Sequence, residues 1–192
     1  SSSIKIDGFK NALGVVPQDV FLFSDSIRNN VKFGSNNPEV SDQELDAACE
    51  TADILNTIKQ LEHGYETILG ERGVNLSGGQ KQRLSIARSL LRNPEILVLD
   101  DCLSAVDTET EDKILKELQK DKEDRTTVIV SHRISTIRNA KHIIVIEDGT
   151  VIEAGSHSTL LKRKGFYFDL YKKQQSDLKD DSIDDSNQET RI

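Results

Sequence analysis

The sequence contains no methionine and opens on three serines. Without an initiator residue a natural start is missing, and the expectation is a piece of a longer protein. No apolar run approaches the roughly 20 residues of a membrane-spanning helix, and no stretch of the sequence reads as a signal peptide. Thiols are scarce: Cys49 and Cys102 stand far apart without metal-ligand spacing, so reduced cytosolic thiols are the default. Basic residues are also the minority, 25 against 33 acidic ones, for a net charge of −8. That balance argues against a nucleic-acid platform, which would show a basic face. What is present suffices for a core with a polar surface: 35% of the 192 residues are hydrophobic and 30% charged. The length allows one sizeable domain, or a domain followed by a tail.

Along the chain, Ile4-Lys5-Ile6 reads as a short strand and Asp7-Gly8 as a turn. Leu13-Gly14-Val15-Val16 is a second short strand, stopped by Pro17 and followed at once by Gln18. Val20-Phe21-Leu22-Phe23 is an apolar patch on a connecting segment. The pattern then predicts short helices over about 26–33 and 54–61. Between them Ser41-Asp42-Gln43-Glu44 is a capping box that opens a helix with Leu45, Ala48 and Ala52 on one face. No internal repeat is found.

Residues 76–83, Leu-Ser-Gly-Gly-Gln-Lys-Gln-Arg, hold a second capping box, from Ser77 to Gln80, leading into a strongly helical segment. Gly78 and Gly79 leave the backbone bare for a close approach. A helix N-terminus with spare N–H groups and a positive dipole end seats phosphate oxygens, although a Gly-Gly turn alone is more often an ordinary helix start. The helix carries Leu84, Ala87 and Leu91 on one stripe, with Ile86 and Leu90 beside it, and stops at Asn93-Pro94. Ile96-Leu97-Val98-Leu99 is a continuous apolar run, the pattern of a strand buried on both faces. A helix over about 108–120 follows, and 126–130 reads as a second buried strand. A short helix over about 134–140 leads to a hairpin of 143–146 and 150–154, and an amphipathic segment carries Leu160, Leu161, Phe166, Tyr167, Leu170 and Tyr171. From Gln174 onward six acids face two bases, and 174–192 reads as an acidic, disordered tail.

Strands alternating with helices predict an α/β domain around a largely parallel sheet, whose chemistry sits at the carboxyl ends of the strands. Asp100, Asp101 and His132 all lie at such ends. A carboxylate closing an apolar strand, as Asp100 does, can hold Mg²⁺ beside a nucleotide's phosphates, usually through water. Asp101 stands where a general base or water-orienting group is expected. Ser104-Ala105-Val106-Asp107 forms a tight turn before the next helix, and His132 is placed to reach a terminal phosphate or an attacking water. Singly each has a plainer reading: buried strands often end in Asp, and a lone histidine is usually structural.

In order, Val-Val-Pro-Gln18, Glu71-Arg72-Gly73, residues 76–83, residues 96–100, Ser104 to Asp107 and Ser131-His132 resemble the nucleotide-binding domain of ATP-binding cassette (ABC) transporters. The resemblance covers about residues 4–173 and implies the C-terminal part of a P-loop NTPase domain, with a helical subdomain over about 19–93. It implies that Gln18 is the Q-loop glutamine, touching Mg²⁺ or water and the transmembrane coupling helices. Ser77, Gly78, Gly79 and Gln80 correspond to the signature motif, Asp100 to the Walker B aspartate, Ser104 to Asp107 to the D-loop and His132 to the switch histidine. Glu71-Arg72-Gly73 resembles the X-loop of exporters, and Gly155-Ser156-His157 with Leu160-Leu161 also resembles exporters. The implied partners are ATP with Mg²⁺, a second ABC domain packed head to tail, and a transmembrane domain of the same parent chain, at the cytoplasmic face of a membrane. The 20–23 patch borders the coupling-helix groove or is an ordinary core contact.

Two departures stand out. No G-x-x-x-x-G-K-S/T loop occurs anywhere in the chain, so the phosphate cradle and its lysine are expected upstream of Ser1. The family's usual catalytic glutamate is Asp101 here, one methylene shorter. This resembles the weakly hydrolysing site of heterodimeric exporters, and a heterodimer stands against a homodimer that uses Asp101. Two other classes compete with the transport ATPase: a soluble ABC ATPase clamp and an inert fragment. The acidic balance supports no nucleic-acid clamp, and the transported cargo is not written in this chain.

Overall fold

A computed structural model describes residues 12–70, 76–120 and 125–176. The expected strand at Ile4-Lys5-Ile6, the Asp7-Gly8 turn, Glu71-Arg72-Gly73 and the tail after Ser176 lie outside the described residues. The chain divides into two compact units, Ser1–Val130 and Ser131–Ile192.

In the first unit, β1 (Leu13–Val16), β2 (Ile96–Asp100) and β3 (Thr126–Val130) form a parallel sheet in the order β1-β2-β3. The register pairs Val16 with Leu99 and Asp100 with Val130, so all three carboxyl ends finish level. Between β1 and β2 run α1 (Ile27–Lys32), α2 (Asp42–Thr51), α3 (Leu55–Gln60) and α4 (Gly78–Leu91); α5 (Thr108–Lys120) joins β2 to β3. Apart from α3, which follows Ile54 without a side-chain cap, these helices start where a side chain meets an orphan N–H group. Ser26 Oγ accepts from Asn29 N for α1. Reciprocal capping boxes open α2 (Ser41 with Glu44) and α4 (Ser77 with Gln80). α4 ends at Leu91 because Pro94 cannot continue it, and Asn93 turns the chain in the left-handed region at φ 54°. Leu84, Ile86 and Ala87 of α4 are buried with Val16, Leu97, Leu99, Ile27, Leu45 and Ile114 in one hydrophobic cluster.

The sheet is not buried on both faces among the described residues. Leu97 and Leu99 point into the core, but the cross-strand row Val15–Val98–Val128 lies on the opposite side. There Val15, Val128 and Val130 are 50%, 43% and 50% exposed. The apolar runs that read as doubly buried strands therefore alternate in practice, with one face packed and one open.

The second unit is built on the antiparallel hairpin of β4 (Ile143–Glu147) and β5 (Thr150–Gly155), turned at Asp148-Gly149 with φ of 47° and 74°. α6 (Ile134–Ile137) is shorter than the pattern predicts, closing with an i+3 bond from Ala140 N–H to the Ile137 carbonyl. α7 (His157–Arg163) and a helical stretch at 166–176 complete the unit around Ile134, Ile143, Leu160 and Tyr167. Glu153 accepts from the N–H groups of Phe166 and Tyr167, which fixes where the last helical stretch begins. That stretch continues through residues 174–176, which the composition assigns to the acidic tail. Gln174 is held because its amide oxygen accepts from Ile134 N–H and its amide nitrogen donates to the His132 carbonyl.

Candidate nucleotide site

The N-terminus of α4 is built by its capping box. Gln80 N–H donates to Ser77 Oγ at 3.2 Å, and Ser77 N–H donates to Gln80 Oε1 at 2.9 Å. Lys81 N–H then begins the helical ladder on the Ser77 carbonyl. The amides of Gly78 and Gly79 take no part in the box, Gly78 is exposed, and the first turn carries no acidic side chain. A small, uncharged, partly open helix end of this kind favours an anion.

The bare backbone has a second use. A Cβ on Gly79 would lie 2.7 Å from the Ala105 carbonyl oxygen, whereas one on Gly78 would meet only the Ala105 Cβ at an ordinary 3.6 Å. The close approach at Gly79 is therefore made by the chain's own 104–107 turn. Gln82, almost wholly buried on the next turn of α4, accepts from Ala105 N–H at 3.1 Å and donates to Ser104 Oγ at 3.4 Å. The turn itself is closed by Ser104 N–H to the Asp101 carbonyl and Val106 N–H to the Leu103 carbonyl.

Asp100 is the last residue of β2 and is exposed; Asp101 follows it in the left-handed region at φ 45°, with its N–H donated to the Val130 carbonyl. That bond carries the β2–β3 ladder one residue beyond the strand, so the reversal at Asp101 is fixed by the sheet. Asp107 caps α5, its carboxylate accepting from Thr110 N–H at 2.9 Å, and this bond holds its pKa below the ordinary aspartate value. Cys102, beside the aspartates, is pushed up to about 12 by burial and is a neutral thiol at physiological pH. Gln18 is exposed two residues after β1, at the same end of the sheet as Asp100. His132 belongs to the second unit, where the residue is exposed.

The structure thus brings Ser77, Gly78, Gly79 and Gln80 together with the Ser104–Asp107 turn, and places Gln18, Asp100 and Asp101 at one sheet end. Several residues that no motif role marks also shape this region. Arg83 bonds the carbonyl and carboxylate of Asp53, fixing α4 to the left-handed corner after α2. Arg88 donates to the Asn30 carbonyl and side chain and to the Phe21 carbonyl, and lies 5.5 Å over the Phe23 ring. Burial lowers its pKa, and fully buried Asn30 in turn pins Phe23 and Ser26 through backbone bonds. One signal was available: Gln82, Ser85 and Ser89 are polar at helical spacing among apolar neighbours on nearly every side of α4, and all three are buried.

The 20–23 patch is split. Leu22 is in the core, while Phe21 is 63% exposed and joins Phe23 and Phe33 in a ring cluster with centroids 5.1 and 4.6 Å apart.

The family model described as ABC transporter matches residues 2–104. Among curated proteins, the chain is 51% identical over 172 residues to the Multidrug resistance-like ATP-binding protein MdlA of Buchnera aphidicola, covering 89% of this chain and 29% of that protein. It is 43% identical over 190 residues to the ATP-binding cassette sub-family B member 6 of Xenopus tropicalis, covering 99% of this chain and 22% of that protein. Among solved structures, a bacterial Atm1-family ABC exporter with ATP bound aligns at a TM-score of 0.85 and 43% identity, over 89% of this chain and 30% of that one. The chain therefore spans less than a third of the length of these relatives.

Proposed function

The chain belongs to the ABC transporter family, and from that premise we propose that it is the C-terminal part of the ATP-binding domain of an exporter. The observation that carries the proposal is the α4 N-terminus: a boxed cap, two glycine amides outside the box and no acid in the first turn. ATP supplies an anionic γ-phosphate, and hydrolysis removes it. Ser77, Gly78, Gly79 and Gln80 lend the helix end to a nucleotide held by a second ABC domain packed head to tail. A charge at a helix end contributes roughly 0.3–2 kcal/mol, and because it exists only with nucleotide present it favours closure of the pair.

On its own side the chain offers Asp100 for Mg²⁺. Among the described residues no group of three or more His, Cys, Asp or Glu could hold a metal. A single carboxylate fits an ion that keeps most of its waters and takes phosphate oxygens. Gln18 shares the metal or its water, Asp101 orients the attacking water and Asp107 contributes from the D-loop, while the family resemblance alone assigns His132 to the terminal phosphate. The phosphate loop and its lysine come from outside these 192 residues. No helix among the described residues is long and apolar enough to cross a membrane. The transmembrane domain likewise lies outside them and holds this domain at the cytoplasmic face. The exposed Phe21, three residues after Gln18, and the exposed Phe33 in the same ring cluster support docking against it.

The shorter carboxylate of Asp101 supports a heterodimer with one slow site and one competent one, since a displacement of about 1 Å can cost on the order of 10²-fold in rate. Titration calorimetry of the 192-residue chain with MgATP is expected to show no micromolar binding, whereas the exporter carrying the chain binds and hydrolyses ATP. Micromolar affinity in the chain by itself defeats the proposal. In the exporter Asp101→Glu raises turnover appreciably, and an unchanged rate counts against the slow site.

A further inference from the structure

We infer that Gln82 is a positioning residue that fixes the 104–107 turn, and through it Asp101, to the anion-binding end of α4. The inference rests on the proposed ATP site and deepens it. The residues meant to meet two different nucleotides are joined within one chain. Ser77, Gly78 and Gly79 face the nucleotide held by the partner domain, while Asp101 serves the nucleotide on this chain's own side. Gln82 lies one helical turn beyond Gly78 and is 7% exposed. Both functions of its amide are committed to the turn, the oxygen to Ala105 N–H and the nitrogen to Ser104 Oγ.

Three further features make this a corner that moves as one piece. The Ala105 carbonyl sits against Gly79 so closely that no Cβ fits between them. Ser104 N–H returns to the carbonyl of Asp101. Asp101 itself is held at a positive φ with its N–H on the sheet. A shift of α4 on meeting a phosphate is therefore passed by the Gln82 amide to the turn and by the turn to the Asp101 backbone. Closely packed, hydrogen-bonded elements transmit such shifts because they cannot deform continuously. Gln82 touches neither nucleotide, so its effect is on the placement of Asp101 rather than on ATP affinity.

The test pairs two readouts. Hydrogen exchange on the 192-residue chain, which needs no nucleotide, is expected to show the Ala105 amide exchanging roughly five- to tenfold faster in Gln82→Ala, as suits one lost hydrogen bond. Gln82→Glu, which keeps an acceptor oxygen, restores most of the protection. In an exporter whose partner domain has lost its hydrolytic carboxylate, so that only this chain's own site turns over, Gln82→Ala lowers kcat for ATP about tenfold with KM within about twofold, and Gln82→Glu recovers most of the loss. Should Gln82→Ala fail to fold, Gln82→Leu replaces it, keeping the volume without the amide. Unchanged exchange at Ala105 overturns the inference, and so does faster exchange with an unchanged kcat or an equal loss in the Ala and Glu variants. A wild-type exporter without ATP turnover would instead overturn the proposed function, and the exchange measurement tells the two failures apart.

Discussion

Two helices of this chain begin with the same device and end up chemically opposite. α2 and α4 both open on a serine whose side chain meets the N3 amide while the N3 side chain returns to the serine amide. In α2 the returning group is the carboxylate of Glu44, and Asp42 adds a second acid to the first turn. The positive end of that helix is neutralised by its own residues. In α4 the returning group is the neutral amide of Gln80, the first two helical positions are glycines, and the first turn has no acid. The cap is equally complete, but the dipole is left for something else to satisfy. A capping box marks where a helix starts; its charge and the bulk at N1 and N2 decide whether that start can also take an anion.

The comparison can be broken most forcefully by making α4 resemble α2. Gln80→Glu keeps the cap and places a carboxylate where a phosphate is to sit. ATP turnover in the exporter is expected to fall at least roughly tenfold, measured by phosphate release, from the repulsion between close like charges. The chain's melting temperature stays unchanged or rises slightly. Equal turnover in the variant would remove the anion role from this helix end.

Next in size is the glycine pair. Gly79→Ala drives a methyl group against the Ala105 carbonyl and is expected to cost about 1–3 kcal/mol in urea denaturation. Gly78→Ala meets only ordinary contacts and gains helix propensity, so its stability is unchanged or up to about 1 kcal/mol higher. In α2 the same two positions hold Asp42 and Gln43. Equal effects at Gly78 and Gly79 would show that the 104–107 turn does not constrain this corner.

Cap removal is expected to act alike on stability and differently on function. Ser41→Ala and Ser77→Ala each cost about 1 kcal/mol by denaturation, but only Ser77→Ala lowers ATP turnover. The smallest effect is on pH response. The Ser41 hydroxyl and amide bonds hold the Glu44 pKa below its ordinary 4.5. The stability this adds is complete above 4.5 and is lost as pH falls through the lower folded value. The Gln80 cap has no group to titrate. An NMR titration from about pH 6 to about pH 3 should therefore move the Ser41 amide and leave the Ser77 amide in place.

Much of this was legible in the sequence for local reasons. Ser41, Ser77, Asn93-Pro94 and the strand aspartate Asp100 announce element ends by chemistry that acts within three or four residues. The level carboxyl ends of the sheet, which bring Gln18 and Asp100 to one edge, follow from parallel topology. What remained illegible depends on partners distant in sequence. Asp101 adopts a left-handed backbone that nothing in its type demands, because the Val130 carbonyl is there to receive its N–H. The burial of Gln82 is hinted at by its apolar neighbours along α4, but its partners at 104–105, and those of Arg88 at Phe21 and Asn30, are far away in sequence. Gln174 follows the same rule. Its polarity suggests a tail, but its amide is committed to the backbone of His132 and Ile134.

Among the described residues, the exposed row on one side of the parallel sheet bears on how the isolated polypeptide behaves at the bench. The row through Val15, Val98 and Val128, with Val130 at its end, offers water a strip of branched aliphatic surface. Such strips associate with one another as concentration rises, and salts such as sulfate strengthen the attraction. A preparation of the 192 residues alone calls for dilute handling and low sulfate. Light scattering against concentration gives a direct view of that strip before any assay of nucleotide chemistry is begun.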